Sequence, residues 1–387
     1  MLSRRALLIT GGASVLVLGA GYAGLTAMSS IAPAQAPWRQ AEKGFGDVRL
    51  NAAAYAILAP SPHNLQPWQI ELDAADGLTL YCDLDRRLPA TDPPDRQTTI
   101  GLGAFLELLR QAAAEQGHRT EVTPFPEGEP GETLDARPIA HVRFVSDEST
   151  PRDPLFGMAL ARRTARLKFD PARPVPAETL SGMISAAHAR PSLAAAQSAG
   201  ASDPETVSWL KDVCKRAWEI ELRKPETCHE SAVLTRIGAK QINANPDGIF
   251  LKGPMMEALH MAGILTKKKM DEVGSTAWNA TKDFYDGLID SAPSFAWFTT
   301  PGNSRTEQLD SGAVWVRLQL AAAQAGVGFQ PLSQALEEYP EMAGPFAEIH
   351  EHFGVTDPAR IQGLFRLGYA GPEAPSPRWP LDSRLIT

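Results

Sequence analysis

Ala59-Pro60-Ser61-Pro62-His63-Asn64-Leu65-Gln66-Pro67-Trp68-Gln69-Ile70 is the stretch on which the reading of this chain turns. It follows an Ala-rich helical pattern, Asn51 to Leu58, and leads into a strand expected over Gln69 to Leu72. The prolines pre-set the backbone. Ser61, Asn64 and Gln66 then offer donors and acceptors on a rigid frame, an arrangement suited to reading the edge of a flat heterocycle. Taken alone, a helix-to-strand turn around a buried tryptophan would look the same, so the rest of the chain has to decide.

The chain has 387 residues, 43% of them apolar and 21% charged, with a net charge of −8. That length suffices for a large core and for two or three domains. The acidic balance leaves no basic footprint, which excludes nucleic acid as a partner. The 32 prolines and 31 glycines are spread along the chain and predict many turns. Cys82, Cys214 and Cys228 form neither a disulfide framework nor a Cys-x-x-Cys pair. Nothing completes a metal set around Cys228-His229, and His350 and His352 point to different helix faces. No metal site is expected.

Met1 to Ala36 has the pattern of a targeting segment. Arg4-Arg5 opens it, an uncharged Gly- and Ala-rich run follows from Ala6 to Met28, and Ala34-Gln35-Ala36 offers small residues for cleavage. This is similar to a twin-arginine export signal. Pro37 disfavours cutting there, and 23 residues from Ala6 to Met28 are enough for an uncleaved anchor. Gly19-x-Gly21-x-x-Gly24 lies in the same run. It lacks the βαβ context and acidic residue of a dinucleotide site.

The remainder falls into two related halves. Gly103-Ala104 opens an apolar helix carrying Ala112-Ala113-Ala114 and closing on Gly117. Gly312-Ala313, 209 residues later, opens another, with Ala321-Ala322-Ala323 and Gly326. Small residues at both starts allow the helices to pack closely, and the closing glycines are cap signals. Pro60-Ser61 and Gln66 likewise have counterparts in Pro191-Ser192 and Gln197, but offset by only 131 residues. The discrepancy locates an insertion at about residues 203–295, read as helical, with one continuous helix expected from Phe250 to Met270. In the second copy Ala195 stands where the first has Asn64, and Ser198-Ala199 where it has Pro67-Trp68. Only the first half keeps the polar turn.

The second half has what the first lacks. Arg162, Arg163, Thr164 and Arg166 crowd three guanidiniums and a hydroxyl into five residues, a plausible phosphate clamp. A solvated charged turn is the alternative. Arg378 follows a strand read at Arg366 to Ala370 and is either a further phosphate ligand or a tail charge.

Together these pieces resemble the nitroreductase family of FMN proteins. The quoted motifs are Arg-Arg-Thr-x-Arg, Pro-Ser-x-x-Asn-x-Gln-Pro-Trp, Gly326-Val327-Gly328-Phe329-Gln330-Pro331-Leu332-Ser333, and Arg-Leu-Gly-Tyr-Ala with a later Pro-Arg. Asp92-Pro93-x-x-Arg96 and the order of the motifs resemble the Acg-type subgroup, in which one chain is similar to a whole family dimer. The resemblance implies an α+β fold, a nitroreductase-like α/β/α sandwich whose two homologous halves form an intramolecular pseudo-dimer. The expected boundaries are 1–36 for the leader, 37–150 for the first half and 151–387 for the second.

The resemblance also implies one FMN per chain. Pro60, Ser61, Pro62, Asn64 and Gln66 would come from the first half, and Arg162, Arg163, Thr164, Arg166, Pro331, Leu332, Ser333 and Arg378 from the second. Ser333 replaces an acidic residue of many family members, so contact near the flavin N5 would rest on a backbone N–H. No catalytic acid, base or nucleophile is expected; the flavin would carry hydride or electrons to a small flat acceptor, a quinone or nitro-compound. The donor would be NAD(P)H or a quinol. The twin-arginine machinery would be a partner, the location periplasmic or membrane-anchored facing outward, and the membrane would be met only through the N-terminal segment. A non-catalytic, flavin-sequestering protein is the alternative function.

Overall fold

A computed structural model describes residues 29–73 and 76–386. The expected leader up to Met28, with the glycine motif inside it, lies outside the described residues. Eleven strands are described: β1 (Trp68–Leu72), β2 (Gly77–Cys82), β3 (His118–Pro124), β4 (Ala140–Ser146), β5 (Gln197–Ala201), β6 (Thr235–Ile237), β7 (Ile249–Leu251), β8 (Ser294–Thr300), β9 (Gly328–Pro331), β10 (Arg360–Gly368) and β11 (Leu385–Ile386).

The same run of elements occurs twice. In the first half a helix (Val48–Ala56), a 3₁₀ turn (Pro62–Asn64), β1, β2, a long helix (Arg96–Ala114), β3 and β4 follow one another. In the second the run is a helix (Ala177–Ala187), a 3₁₀ turn (Pro191–Leu193), β5, β8, a long helix (Arg305–Gln324), β9 and β10. The sheets are ordered β11-β1-β2-β4-β3 and β5-β8-β10-β9, so matched strands occupy matched places. The C-terminal tail crosses over, and its β11 lies parallel to β1 with Leu385 beside Ile70.

Each long helix has a defined start. The buried Asp92 carboxylate accepts from the backbone N–H of Gln97 and Thr98 at 3.0 and 2.8 Å, which satisfies first-turn donors. Ser304 and Glu307 form a reciprocal capping box on the other. The Gly-Ala pairs do not open these helices, as was expected of them, but lie about two turns inside, and the helices cross there. A Cβ on Gly103 would sit 2.0 Å from the Leu309 carbonyl oxygen, and one on Gly312 would sit 2.0 Å from that of Ile100. Backbone touches backbone, and no larger residue fits at either place.

One apolar core runs from Trp68, Ile70 and Leu80 of the first sheet, through Phe105, Leu109, Val316 and Leu320 of the helices, to Phe298 and Phe365 of the second. A second core joins the outer face of the second sheet (Phe295, Leu364) to Leu210, Val213, Trp278 and Ile349. Helices thus cover both faces of the second sheet. In the first, Trp68 and Ile70 of β1 are buried while Gln69 and Glu71 between and after them are partly exposed, so its outer face turns to solvent.

The insertion is mainly helical, with long helices at Pro204–Arg223 and Thr276–Asp290. The single helix expected from Phe250 to Met270 is not formed. Phe250 belongs to β7, which pairs with β6, and two short helices follow at Pro254–Met261 and Lys267–Asp271. Gly253, with φ of 104°, and Gly263, with φ of 67°, break the run. Among the described residues no helix is long and apolar enough to cross a membrane.

Candidate functional site

The polar turn is built under strain. His63, Asn64 and Gln66 have φ of 47°, 57° and 56°. Left-handed backbone at three non-glycine residues within four positions costs of order 1–3 kcal/mol each and persists only where surroundings impose it. Among the described residues no such angle occurs in the counterpart turn around Pro191. Gln66 supplies much of the restraint. Its N–H donates to Ser61 Oγ at 3.0 Å, and its Nε2 donates to the carbonyls of Asn64 and Pro246 at 3.1 and 2.8 Å. Its Oε1 accepts from the Trp379 N–H at 2.9 Å. Pro60, Ser61 and Pro62 rest against Gly101 of the first long helix.

The tail brings Arg378 onto this turn. Its guanidinium donates to Asn64 Oδ1, to Ser376 Oγ at 2.7 Å, and to the carbonyls of Leu58 and Ala59 at 3.0 and 2.9 Å. Arg378 is therefore buried against the polar turn and is not a solvated tail charge. Arg162 meets the same edge from the second half, donating to the Leu58 carbonyl and to Gln319 Oε1. Gln319 in turn donates to the Arg163 carbonyl at 3.0 Å and to Thr164 Oγ1 at 3.4 Å.

Arg366, wholly buried in β10, holds the cationic loop to the sheet through the Ala165 and Leu167 carbonyls at 3.1 and 2.8 Å. The Arg166 guanidinium lies over Phe250 of the insertion at 5.3 Å.

The electrostatics of this cluster are unbalanced. Among the described residues no ion pair joins Arg162, Arg163, Arg166 or Arg378 to a carboxylate. Glu373 is nearby but uses its carboxylate on the Arg166 backbone N–H. Nε of Arg162 and Nε of Arg378 are buried without a partner. Burial and neighbouring guanidinium charge pull Arg162 down to about 9, and the same two causes depress Arg378. His63, close by and bonded to Ser231 Oγ at 2.9 Å, is pushed down to about 4 by burial and by Arg166. Buried cations without counter-charges are costly, and an anion with several oxygens is the ligand that would satisfy them.

Pro331, Leu332 and Ser333 stand apart from the turn. Pro331 ends β9, and Leu332 is buried in the second core with its N–H on the Leu364 carbonyl at 2.9 Å. Ser333 opens a 3₁₀ turn at Gln334–Leu336. None of the three hydrogen-bonds to the arginines or to the Pro60–Gln66 turn, and the Leu332 side chain is core. The same edge does touch the cationic loop, through Ala165 N–H to the Phe329 carbonyl at 2.9 Å.

The insertion is fastened to the turn. Gly248 N–H donates to the Asn64 carbonyl at 3.3 Å, and Asp247 accepts from Trp379 Nε1 at 2.8 Å and from Arg86 at 2.7 Å. Trp38, Gln319, Arg366 and Glu373 were not expected at the site. Arg366 carried a signal, a charge inside the apolar run Leu364-Phe365-Arg366-Leu367.

Residues 159–369, more than half of the chain, match the family model described as "Nitroreductase family". The chain belongs to the nitroreductase family. This nitroreductase segment contains the cationic loop, the second long helix and β10; the polar turn and Arg378 lie outside it. A Mycobacterium tuberculosis H37Rv protein, Rv3127, whose name records it as uncharacterized, is 35% identical over 126 residues, 31% of this chain and 35% of its own length. Another from the same strain, provisionally named NAD(P)H nitroreductase acg, is 35% identical over 123 residues, 32% of this chain and 36% of its own. The chain thus spans about a third of the length of these curated relatives. The FMN-dependent nitroreductase NfnB of Mycobacterium smegmatis, solved with NADPH, has a TM-score of 0.36 at 19% identity, covering 58% of this chain and 92% of that one. Among the described residues no group of three or more His, Cys, Asp or Glu is placed to hold a metal ion.

Proposed function

We propose that this protein is an FMN-dependent oxidoreductase of nitroreductase type that holds one flavin between its halves and passes hydride or electrons to a small flat acceptor, a quinone or nitro-compound. The observation that carries this reading is the cation cluster, Arg162 and Arg378 buried and Arg163 and Arg166 partly so, that among the described residues pairs with no carboxylate where the second half meets the strained turn of the first. A phosphate monoester fits it in charge and in number of acceptors. Arg162, Arg166 and Arg378 would hold that phosphate, with Arg163 and Thr164 beside it, and Ser61 and the backbone of the Pro60–Gln66 turn would face the ring. Bound FMN would supply two-electron redox chemistry. This chain's residues anchor and orient it, and the insertion, seated on the turn, limits water at its edge.

The two halves are taken as products of one internal duplication, a view supported by their matched strand order. Export by the twin-arginine route, to a periplasmic or outward-facing anchored location, is part of the same reading. It rests on Arg4-Arg5 and the uncharged run to Met28. The name of the relative acg favours NAD(P)H as donor; a quinol is the alternative outside the cytoplasm. A second reading, a flavin-sequestering protein without turnover, is favoured by the bonds from Pro246 and Gly248 that fasten the insertion to the turn.

The test is a visible spectrum of the purified protein, followed by anaerobic mixing with NAD(P)H and with a quinol. One flavin per chain, bleached by a donor and restored by a quinone, is expected. A colourless protein that takes up no added FMN would sink both readings. Colour that neither donor bleaches would leave the sequestering one.

A further inference from the structure

Trp38 lies at the centre of the cationic cluster. The guanidinium carbons of Arg163, Arg378 and Arg162 stand 4.9, 5.6 and 5.7 Å from its ring. Three like charges gathered around one ring, with no carboxylate among the described residues paired to any of them, repel one another. The indole face is a negative electrostatic surface that offsets that repulsion without occupying a hydrogen-bond donor.

The segment that carries Trp38 is laced into the fold. The Ala34 carbonyl accepts from the Arg378 backbone N–H at 2.8 Å, Trp38 Nε1 donates to the Ser376 carbonyl at 2.9 Å, and Gln35 donates to the Pro375 carbonyl. Asn243 of the insertion donates to the Ser30 carbonyl at 2.9 Å, and Ile31 and Ala34 pack on Ala239, Ile242 and Phe250.

We infer that Trp38 is a positioning residue of the anion clamp: its ring holds Arg162, Arg163 and Arg378 in one converging arrangement, and the strap from Ile31 to Trp38 locks that ring in place. The inference rests on the proposed FMN site and adds to it a residue from the very start of the first half. Trp38 acts on the phosphate only through the arginines, so its effect is confined to ligands that carry a phosphate.

The experiment compares FMN with riboflavin, which has the same ring and no phosphate, by titrating apo-protein and reading the quenching of flavin fluorescence. Trp38→Ala should weaken FMN about tenfold, the loss of cation–π contacts at a desolvated site, and leave riboflavin within about twofold of wild type. Trp38→Phe, which keeps an aromatic face but not the bond to Ser376, should recover most of the FMN affinity. Gln35→Ala removes one strap bond without touching an arginine and should weaken FMN less than Trp38→Ala does, again sparing riboflavin. Unchanged FMN binding in Trp38→Ala would overturn the inference, as would equal loss of FMN and riboflavin, which marks general unfolding of the site. Wild-type protein that binds neither flavin would instead remove the proposed function, and the inference with it.

Discussion

The Arg378 guanidinium donates to the carboxamide oxygen of Asn64, joining residues 314 positions apart in the chain. The bond links the tail of the second half to the strained turn of the first, and both residues are buried. Asn64 also donates through Nδ2 to the Pro377 carbonyl at 3.3 Å, so its carboxamide reads the tail backbone as well as the charge. A residue that merely filled the turn would do neither.

Asn64→Ala therefore removes a buried acceptor and leaves Arg378 with backbone carbonyls and Ser376. The cost should be roughly 1.5–3 kcal/mol, the range for hydrogen bonds to charged groups. Because the partners are shared, Asn64→Ala and Arg378→Met should couple by about 1 kcal/mol or more in a double-mutant cycle of chemical unfolding. Additive effects would mean that the contact carries no weight in the folded protein.

Arg162 makes stability and ligand binding respond in opposite ways. It is buried, and among the described residues its Nε has no partner and no carboxylate pairs with it. Replacing such a cation by a methionine of similar length removes a desolvation penalty and can be neutral or stabilising. Arg162→Met should leave the melting temperature of the apo-protein at or above that of wild type. The same change should weaken FMN by roughly ten- to a hundredfold, the worth of a charge-assisted hydrogen bond. Inorganic phosphate should raise the melting temperature of wild type and not of the variant.

Much of this was legible in the sequence because it is local. Helix starts, glycine stops and the proline-fixed turn are written in neighbouring residues. The two Gly-Ala pairs marked places of close helix packing, but not that the helices begin earlier, at Arg96 and Arg305, or that they cross each other. The break in the run from Phe250 to Met270 was legible too, at Gly253-Pro254 and Gly263, but the apolar periodicity masked it. The burial of Arg378 and the place of Trp38 depend on contacts more than 300 residues apart in the chain, as between Trp38 and Ser376, and no local pattern encodes them. Leu332 lies one residue past the end of β9 with its side chain in the second core, a placement that the packing of the outer helices decides and no local pattern announces.

The helix crossing predicts a severe response to one added methyl group. A Cβ at Gly103 meets the Leu309 carbonyl oxygen at 2.0 Å and its carbon at 2.7 Å, all backbone, so no rotamer change relieves the clash. Gly103→Ala should cost about 2–3 kcal/mol or more, at the upper end of overpacking, and Gly312→Ala should match it. A denaturant midpoint within error of wild type for either would contradict the close approach.

Strap residues constrain how the leader can be processed. Ile31 and Ala34 are buried, and Ala34 bonds the Arg378 backbone. If the leader expected over Met1–Ala36 is removed, the cut should fall before Ile31. N-terminal sequencing of the exported protein should give a start at or upstream of Ile31. Exported protein that starts at Pro37 and keeps full FMN affinity would refute this.

The last prediction concerns acid. Glu107, on the first long helix, is buried and accepts from Arg317 at 2.9 Å, Arg190 at 2.7 Å and both edges of Arg110 at 2.8 and 2.9 Å. Burial alone would raise its pKa. The Arg110 bonds and the charges of Arg110, Arg190 and Arg317 overcome it and bring the carboxyl down to about 2. Below its ordinary value of about 4.5 the unfolded chain takes up the proton first. The stabilisation is therefore complete above about pH 4.5 and is lost as pH falls toward 2. Its size at neutral pH is about 2–4 kcal/mol, from the width of that window. Glu107→Gln should lose roughly this amount at pH 7, since Arg317 is left buried with only Asp153 to balance it. The difference in unfolding free energy between wild type and variant should shrink steadily below pH 4.5. A difference that stays constant from pH 7 to pH 3 would show that Glu107 is not the acid-sensitive member of the network.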